Sequence, residues 1–264
     1  MKILFIGDIV GKPGRDAIKE LLPGLKKEFS LNFVIGNAEN AAGGSGITAS
    51  VAKDLFDAGV SVLTSGDHIW KKREIFEIIN SESRILRPAN FPPGTPGAGF
   101  GVFKNNNALI GVINIVGRVF MDALECPFRT VMQAQEALAK QTKIIIVDIH
   151  AEATSEKVAL GWYLDGKVSA VLGTHTHIQT ADEKVLPNGT AYITDVGMTG
   201  PCDSVIGRKI EDVLERFITC VPTRFEVAEN NVQVQGVVVD IDENTGKAKS
   251  ITRLQRKVAD KIND

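Results

Sequence analysis

The amino-acid sequence predicts an α/β fold. Short apolar runs rich in β-branched residues alternate with amphipathic stretches over most of the chain, as strands alternating with helices do. The composition agrees, because 44% hydrophobic and 23% charged residues are typical of a globular protein. With 264 residues and no linker, we predict a single domain over residues 1–256 and a polar tail over 257–264.

Periodicity places the individual elements. Consecutive apolar residues predict strands at residues 3–6, 33–35, 60–63, 109–115, 144–147 and 168–172. Apolar residues at three- and four-residue spacing predict helices at 15–29, 48–58, 71–79, 128–139 and 154–162. Four prolines and four glycines predict an ordered loop over 87–101. Towards the end of the chain we predict strands at 192–193, 225–227, 232–241 and 248–254, a helix at 211–218 and a hairpin turn at 242–246.

Charge and cysteine content restrict the partners and the compartment. Thirty Lys and Arg against thirty-two Asp and Glu give a net charge of −2, so no basic field attracts duplex nucleic acid or an anionic membrane. No apolar run approaches the roughly 20 residues that span a bilayer. Three cysteines without a CxxC pair fit a reducing compartment. We therefore expect a cytoplasmic protein that binds neither duplex nucleic acid nor a membrane. Whether it forms a homo-oligomer stays open.

Potential metal ligands follow five of the predicted strands. The carboxyl ends of the strands form one edge of an open α/β sheet, so side chains at these ends can meet in space. All four histidines of the chain are at such positions. The residues are Asp8, Glu39, Asn40, Asp67, His68, His150, His175 and His177.

A mixed oxygen and imidazole set of this size exceeds the four ligands of one zinc ion. It suits two transition-metal ions that share a bridging carboxylate. His175 and His177 are two residues apart, and in extended backbone such side chains point to the same side. We therefore expect both rings to reach the same metal pair.

Other groups allow two interpretations each. The glycine-rich residues 41–46 precede a helix and are either a phosphate cradle or a flexible connector. Arg87 and Arg118 are candidates for phosphate contacts, although surface ion pairs are commoner. Trp70 and Trp162 are candidates for base stacking or for packing. The sequence lacks the P-loop, GxGxxG and GxSxG motifs of other common enzyme classes.

The site blocks resemble those of the calcineurin-like metallophosphoesterases, with Gly7-Asp8, then Gly66-Asp67-His68, then GTHTH at 173–177. Longer strings resemble the YmdB family of bacterial metallophosphoesterases. They are GDIVGKPGR at 7–15, NAENAAGG at 37–44, RPANFPPGTPG at 87–97, DIHAEATSEK at 148–157, GTHTHIQTAD at 173–182 and TAYITDVGMTGP at 190–201. The resemblance extends over nearly the whole chain, to about Leu254.

This resemblance implies a four-layer α/β/β/α sandwich with two metal ions, typically iron or manganese. It implies hydrolysis of cyclic nucleotides by metal-hydroxide attack on phosphorus, with 2′,3′-cyclic substrates included and 3′,5′-cyclic ones as further candidates. One ion would bind Asp8, Glu39, Asn40 and His177. The other would bind Glu39, Asp67, His150 and His175, with Glu39 as the bridge. His68 would be the proton donor, or a cation beside the leaving oxygen.

The chain departs from the family pattern at Asp67, where the family block has Asn. Three carboxylates around two divalent ions leave a formal charge of about +1, whereas Asn would leave about +2. We therefore expect tighter metal binding, a less acidified water and slower turnover. The wider superfamily also has a His at position 10, which is Val here, and Asn40 is a candidate to replace that ligand.

Two alternative functions remain open from the sequence. The same metal pair serves phosphomonoesterases and protein phosphatases, and the shape of the loop at 87–101 would decide between them and a diesterase. The other alternative is a regulatory binding protein that keeps the metal site but hydrolyses little, and Asp67 makes this alternative less remote.

Overall fold

A computed structural model describes residues 1–105 and 108–259 as two β-sheets packed face to face, with α-helices on both outer sides. The described strands are β1 (Lys2–Ile6), β2 (Asp8–Ile9), β3 (Phe33–Asn37), β4 (Val62–Thr64), β5 (Phe100–Asn105), β6 (Ala108–Val116), β7 (Ile144–His150), β8 (Ala170–Thr174), β9 (Lys184–Val185), β10 (Ala191–Ile193), β11 (Met198–Pro201), β12 (Val232–Ile241) and β13 (Ala248–Lys257). The helices are α1 (Gly11–Phe29), α2 (Ala49–Asp57), α3 (Pro127–Ala139), α4 (Thr154–Tyr163) and α5 (Ile210–Thr219). The predicted α/β class and four-layer sandwich are confirmed.

Each sheet combines parallel and antiparallel strands. One sheet has the order β2-β11-β12-β1-β3-β4, with β13 added against β12. In it β1, β3 and β4 run parallel, whereas β12 runs antiparallel to β1. The other sheet has the order β5-β6-β7-β8-β10-β9, in which β6, β7, β8 and β10 are parallel. The carboxyl ends of β3, β4, β7 and β8 therefore carry the loops that reach the predicted site.

Three apolar layers hold the sandwich together. Phe5 and Ile146 belong to the layer between the two sheets. Leu22 belongs to the layer between the first sheet and helices α1 and α2. Leu160 belongs to the layer between the second sheet and helices α3 and α4. Because the central parallel strands are buried on both faces, they read in sequence as continuous apolar runs.

The helix predicted over 71–79 is wrong. A short 3-10 helix spans Arg73–Glu77 instead. Trp70 stacks on Phe76 with ring centroids 5.1 Å apart. Side chains six residues apart point to different sides of an α-helix, so this contact requires a different backbone path.

The strand predicted over 225–227 is also wrong. Val227 forms only an isolated bridge with Arg208, and Phe225 is exposed. The sequence did not predict β2, β5, β9 and β11. Strands β2, β9 and β11 are too short to show a periodic pattern, and β5 begins inside the loop predicted at 87–101.

The last described strand ends close to the C-terminus of the chain. Strand β13 extends to Lys257, and residues 260–264 of the predicted tail lie outside the described residues. The domain boundary at 256 stays a prediction. Within the described residues, no helix combines the length and apolar character needed to cross a bilayer.

A buried ion pair fixes the loop after β8. Lys157 on α4 and Asp195 after β10 are both completely buried, and Lys157 Nζ lies 2.8 Å from Asp195 Oδ2. Lys157 Nζ also donates to the Thr174 carbonyl at 2.6 Å. Asp195 Oδ2 accepts from the backbone amide of Thr176 at 3.0 Å and from its hydroxyl at 2.7 Å. The pair therefore holds the residues on both sides of His175.

We expect Lys157→Met to lower the free energy of unfolding by about 3–5 kcal/mol, because it leaves the buried Asp195 carboxylate without its cation. Urea unfolding monitored by circular dichroism measures this change. Lys53→Met is the matched control, since Lys53 pairs with Asp57 on the exposed face of α2, where solvent screening leaves the pair little effect on stability. Equal effects of the two substitutions would contradict the role assigned to Lys157.

Candidate metal centre

The structure brings all eight predicted site residues to one place, where strand ends of both sheets meet. Asp8 begins β2, and His150 ends β7. The others lie in the loops that follow strands: Glu39 and Asn40 after β3, Asp67 and His68 after β4, and His175 and His177 after β8.

One group of potential ligands contains Glu39, Asp67, His150 and His175. It offers one donor atom from each residue, and these atoms all lie within 4.8 Å of one another. His150 Nε2 lies 3.0 Å from Glu39 Oε2 and 3.3 Å from Asp67 Oδ1. His175 Nδ1 lies 2.9 Å from His150 Nε2. Two carboxylates and two imidazoles thus point at a common centre.

A second group contains Asp8, Glu39 and His177, also within 4.8 Å of one another. His177 Nε2 lies 3.9 Å from Asp8 Oδ1 and 3.1 Å from Asn40 Nδ2. The Asn40 amide nitrogen donates to Glu39 Oε1 at 2.9 Å, so Asn40 lies beside this group, whereas its oxygen, the atom that can bind a cation, lies 3.0 Å from His68 Nδ1. Glu39 is common to both groups, as a bridging carboxylate between two ions would be.

The donor set fits a pair of cations. Asp8 Oδ1 and Asp67 Oδ1 are buried and accept no hydrogen bond, and the positive charge nearest to Asp67 Oδ1 is His150, with its Nε2 at 3.3 Å. Buried carboxylate oxygens without a partner are costly unless a cation contacts them. Carboxylate, amide and imidazole donors together suit first-row transition metals.

The charges of the site groups depend on one another. Burial raises the pKa of Asp8 to about 7, although the nearby His150 acts to lower it. Burial would also raise the pKa of Glu39, but the contact with His150 outweighs it and lowers that pKa to about 2. Burial opposes a charged His150, yet Glu39 and Asp67 hold the His150 pKa well above its usual value. Without metal, a proton on His150 therefore supplies the positive charge, and metal binding would displace it.

Outer hydrogen bonds orient the imidazoles. His150 Nδ1 lies 2.9 Å from the Thr174 hydroxyl, which itself donates to Asp148 Oδ1 at 2.7 Å. The hydroxyl therefore accepts from His150 Nδ1, which leaves the Nε2 lone pair for a metal. His177 Nδ1 donates to the Ile206 carbonyl at 2.9 Å, with the same result for its Nε2.

The loop after β8 differs from the expected extended backbone. His175 has φ 99° and His177 has φ 65°, in the left-handed region that non-glycine residues rarely adopt. The His175 amide donates to Asp8 Oδ2 at 3.0 Å, which holds this path. The rings still reach the same cluster, but the conformation responsible is strained rather than extended.

His68 lies at the mouth of the cluster rather than inside it. Its side chain is 31% exposed. Its Nδ1 is 3.0 Å from Asn40 Oδ1, and its Nε2 is 3.7 Å from Asp67 Oδ2. The ring lines a cavity of about 390 Å³ together with Glu39, Asn40 and His177.

The cavity contains residues that the sequence analysis missed. Glu152 Oε2 lies 3.1 Å from His175 Nε2. Glu152 comes two residues after His150, so its place just after a strand end could have identified it from the sequence. Arg208, Phe217 and Phe225 also line the cavity. They lie far along the chain from the strand ends, and no motif marks them.

The other candidates from the sequence do not line this cavity. Arg87 donates to the backbone carbonyls of residues 88, 95 and 96, which shapes the proline-rich loop. Trp70 packs on Phe76, and Trp162 lies on α4. In the glycine-rich stretch, a Cβ at Gly44 would lie 2.2 Å from Arg208 Nη1. That stretch supports the Arg208 side chain, which donates to the Gly44 carbonyl.

We expect Gly66→Ala to weaken metal binding about ten- to hundredfold, the range found when the surroundings of metal ligands are disturbed. A Cβ at Gly66 would lie 2.2 Å from Glu39 Oε2 and 2.3 Å from His150 Nε2, so it must displace ligand atoms. Metal titration followed by calorimetry measures the change. Gly24→Ala on α1 is the control, because its Cβ meets nothing within 4 Å. Unchanged metal affinity in Gly66→Ala would contradict the assigned centre.

The chain is similar to several known proteins. The family described as YmdB-like protein matches residues 4–254. A Bacillus subtilis (strain 168) protein named 2′,3′-cyclic-nucleotide 2′-phosphodiesterase is 52% identical over 254 residues, which cover 96% of each chain. The crystal structure of a novel phosphatase from Mycoplasma pneumoniae superposes with a TM-score of 0.91 at 36% identity, over 97% of this chain and 93% of that one.

A more distant protein is similar to this chain in its fold only. The calcineurin-like phosphoesterase YfkN from Bacillus subtilis has a TM-score of 0.58 at 10% identity, over 97% of this chain and 90% of that one. The family resemblance predicted from the sequence is confirmed. The match over nearly the full length, together with the 52% identical relative, shows that the chain belongs to the YmdB-like protein family.

Proposed function

We propose that the chain hydrolyses 2′,3′-cyclic nucleotides to nucleoside 3′-phosphates with the help of two iron or manganese ions. The observation that carries the proposal is the pair of ligand groups that share Glu39 beside a cavity lined by His68. The similar Bacillus subtilis protein is named for the same reaction. Family membership confirms the broader prediction that the chain is a phosphoesterase enzyme.

The bound ions would supply Lewis acidity to the phosphate oxygens and activate a water molecule. In the reaction, water oxygen bonds to phosphorus and the bond from phosphorus to O2′ breaks. The departing O2′ needs a proton. His68 lines the cavity beside Asn40 and Asp67, and its side chain is partly exposed, so it is placed to donate that proton.

Arg208 supports binding of an anionic substrate. Its guanidinium lines the cavity and donates to the Gly44 carbonyl. Within the described part of the chain, no carboxylate forms an ion pair with it. Its charge is therefore available to the phosphodiester, and the planar fork of arginine suits phosphate oxygens.

A panel of substrates tests the proposal and separates it from the alternatives. We expect the Mn²⁺- or Fe²⁺-loaded protein to cleave 2′,3′-cyclic AMP, with p-nitrophenyl phosphate cleaved far more slowly. 3′,5′-cyclic AMP in the same assay decides whether that class is also a substrate. Preferred cleavage of the monoester would indicate a phosphomonoesterase, and no cleavage of either would favour the metal-containing binding protein.

We expect His68→Ala to lower kcat about 10²- to 10⁴-fold, the usual contribution of a general acid, while the protein retains its metal ions. Stopped assays with 2′,3′-cyclic AMP give kcat, and plasma emission spectroscopy of the same sample gives the metal content. A parallel loss of metal and activity would instead make His68 a residue that supports Asp67.

We expect Asp67→Asn to weaken metal binding and to raise turnover. Burial opposes the ionised form of Asp67, but His150 and other histidines hold its pKa well below the usual range. The substitution therefore removes a full negative charge, and the acid limb of the pH–rate profile should move to lower pH. Measurement of kcat against pH for both proteins checks this shift, and identical profiles would argue against a charge effect of Asp67.

The compartment and the absence of duplex nucleic acid partners stay predictions that rest on the cysteine pattern and on the net charge of −2. A homo-oligomer stays a possibility that neither observation decides.

A further inference from the structure

The cavity at the metal centre has an apolar wall that the ligand groups and His68 do not use. Ile206, Val213, Phe217 and Phe225 form it, from α5 and the segments on either side. Phe217 is 74% exposed and Phe225 is 37% exposed. Within the described residues, neither ring stacks on another aromatic ring. Exposed aromatic rings that line a cavity favour a ligand group with an apolar face.

We propose that this wall binds the nucleobase of the substrate by stacking on Phe217 and Phe225. The inference rests on the proposed function, since the phosphodiester must lie at the paired ligand groups in the same cavity. A nucleobase has two apolar faces and a polar edge. The rings can meet a face, whereas Glu152 lines the same cavity and offers a polar partner for an edge.

The size of the cavity is consistent with this ligand. Its volume of about 390 Å³ lies within the range of roughly 300–1,000 Å³ of small-molecule sites. The volume and the apolar wall together therefore suit a nucleotide-sized ligand with a planar apolar group.

Stacking has a consequence for specificity. Every base has a π-face, so stacking on phenylalanine is tolerant of base identity. We expect both purine and pyrimidine 2′,3′-cyclic nucleotides to be substrates, with larger purines bound more tightly.

The test compares nucleotides with a substrate that lacks the base. Methyl riboside 2′,3′-cyclic phosphate carries the same reactive group as 2′,3′-cyclic AMP. Phe217→Ser and Phe225→Ser should each lower the ratio of kcat/KM for the nucleotide to kcat/KM for the base-free substrate roughly tenfold, mainly through KM. Ile218→Ser is the matched control, because Ile218 is 79% exposed on the same helix but does not line the cavity.

The outcomes separate the base site from other roles of this surface. A lower ratio in the two phenylalanine variants alone supports the proposal. An unchanged ratio, or the same drop in Ile218→Ser, overturns it. A change of oligomeric state in the Phe217→Ser protein also overturns it, because Phe217 would then pack on a second copy of the chain.

A binding measurement covers the case in which the proposed function itself fails. Saturation-transfer NMR with adenosine reports contact with the base without hydrolysis. If the unmodified protein cleaves neither substrate, the proposed function fails, and the adenosine signal still decides the base site. Its loss in Phe217→Ser but not in Ile218→Ser supports the site, and its absence from the unmodified protein overturns it.

Discussion

The structure depends on the compensation of negative charge at the junction of the two sheets. Asp8 and Glu39 are buried, and Asp67 completes a cluster of three carboxylates around His150. Carboxylates this close cannot all ionise in a buried place without positive charge beside them. The imidazoles and the proton on His150 supply part of that charge, and the unpartnered oxygens of Asp8 and Asp67 require more. Divalent cations would satisfy the requirement, and we propose that a pair of them makes the same residues a phosphoesterase site.

The surrounding fold serves this cluster. Parallel strands of two sheets end at one edge, which brings together ligands that are up to about 170 residues apart in the chain. The Lys157–Asp195 pair fixes the strained loop that carries His175 and His177. Gly66 leaves the space that Glu39 and His150 occupy. The site therefore consists of short loops on a rigid scaffold, an arrangement in which binding and catalytic residues are commonly found.

Sequence reasoning was strongest where the signal was local. Buried parallel strands are apolar runs, and a polar residue directly after such a run lies at the sheet edge, so the positions of Glu39, Asp67 and His150 followed from the pattern alone. The left-handed backbone of His175 did not follow, because distant contacts with Asp8 and Asp195 produce it. Arg208 and Phe217 line the cavity only because the folded chain returns to it, so the hydrophobic periodicity of the sequence could not predict their position.

The most direct test is anomalous diffraction from crystals of the protein loaded with Mn²⁺. Two peaks per chain are expected, one among Glu39, Asp67, His150 and His175, the other among Asp8, Glu39, Asn40 and His177. A single peak, or peaks away from Glu39, would contradict the view that paired cations balance this cluster.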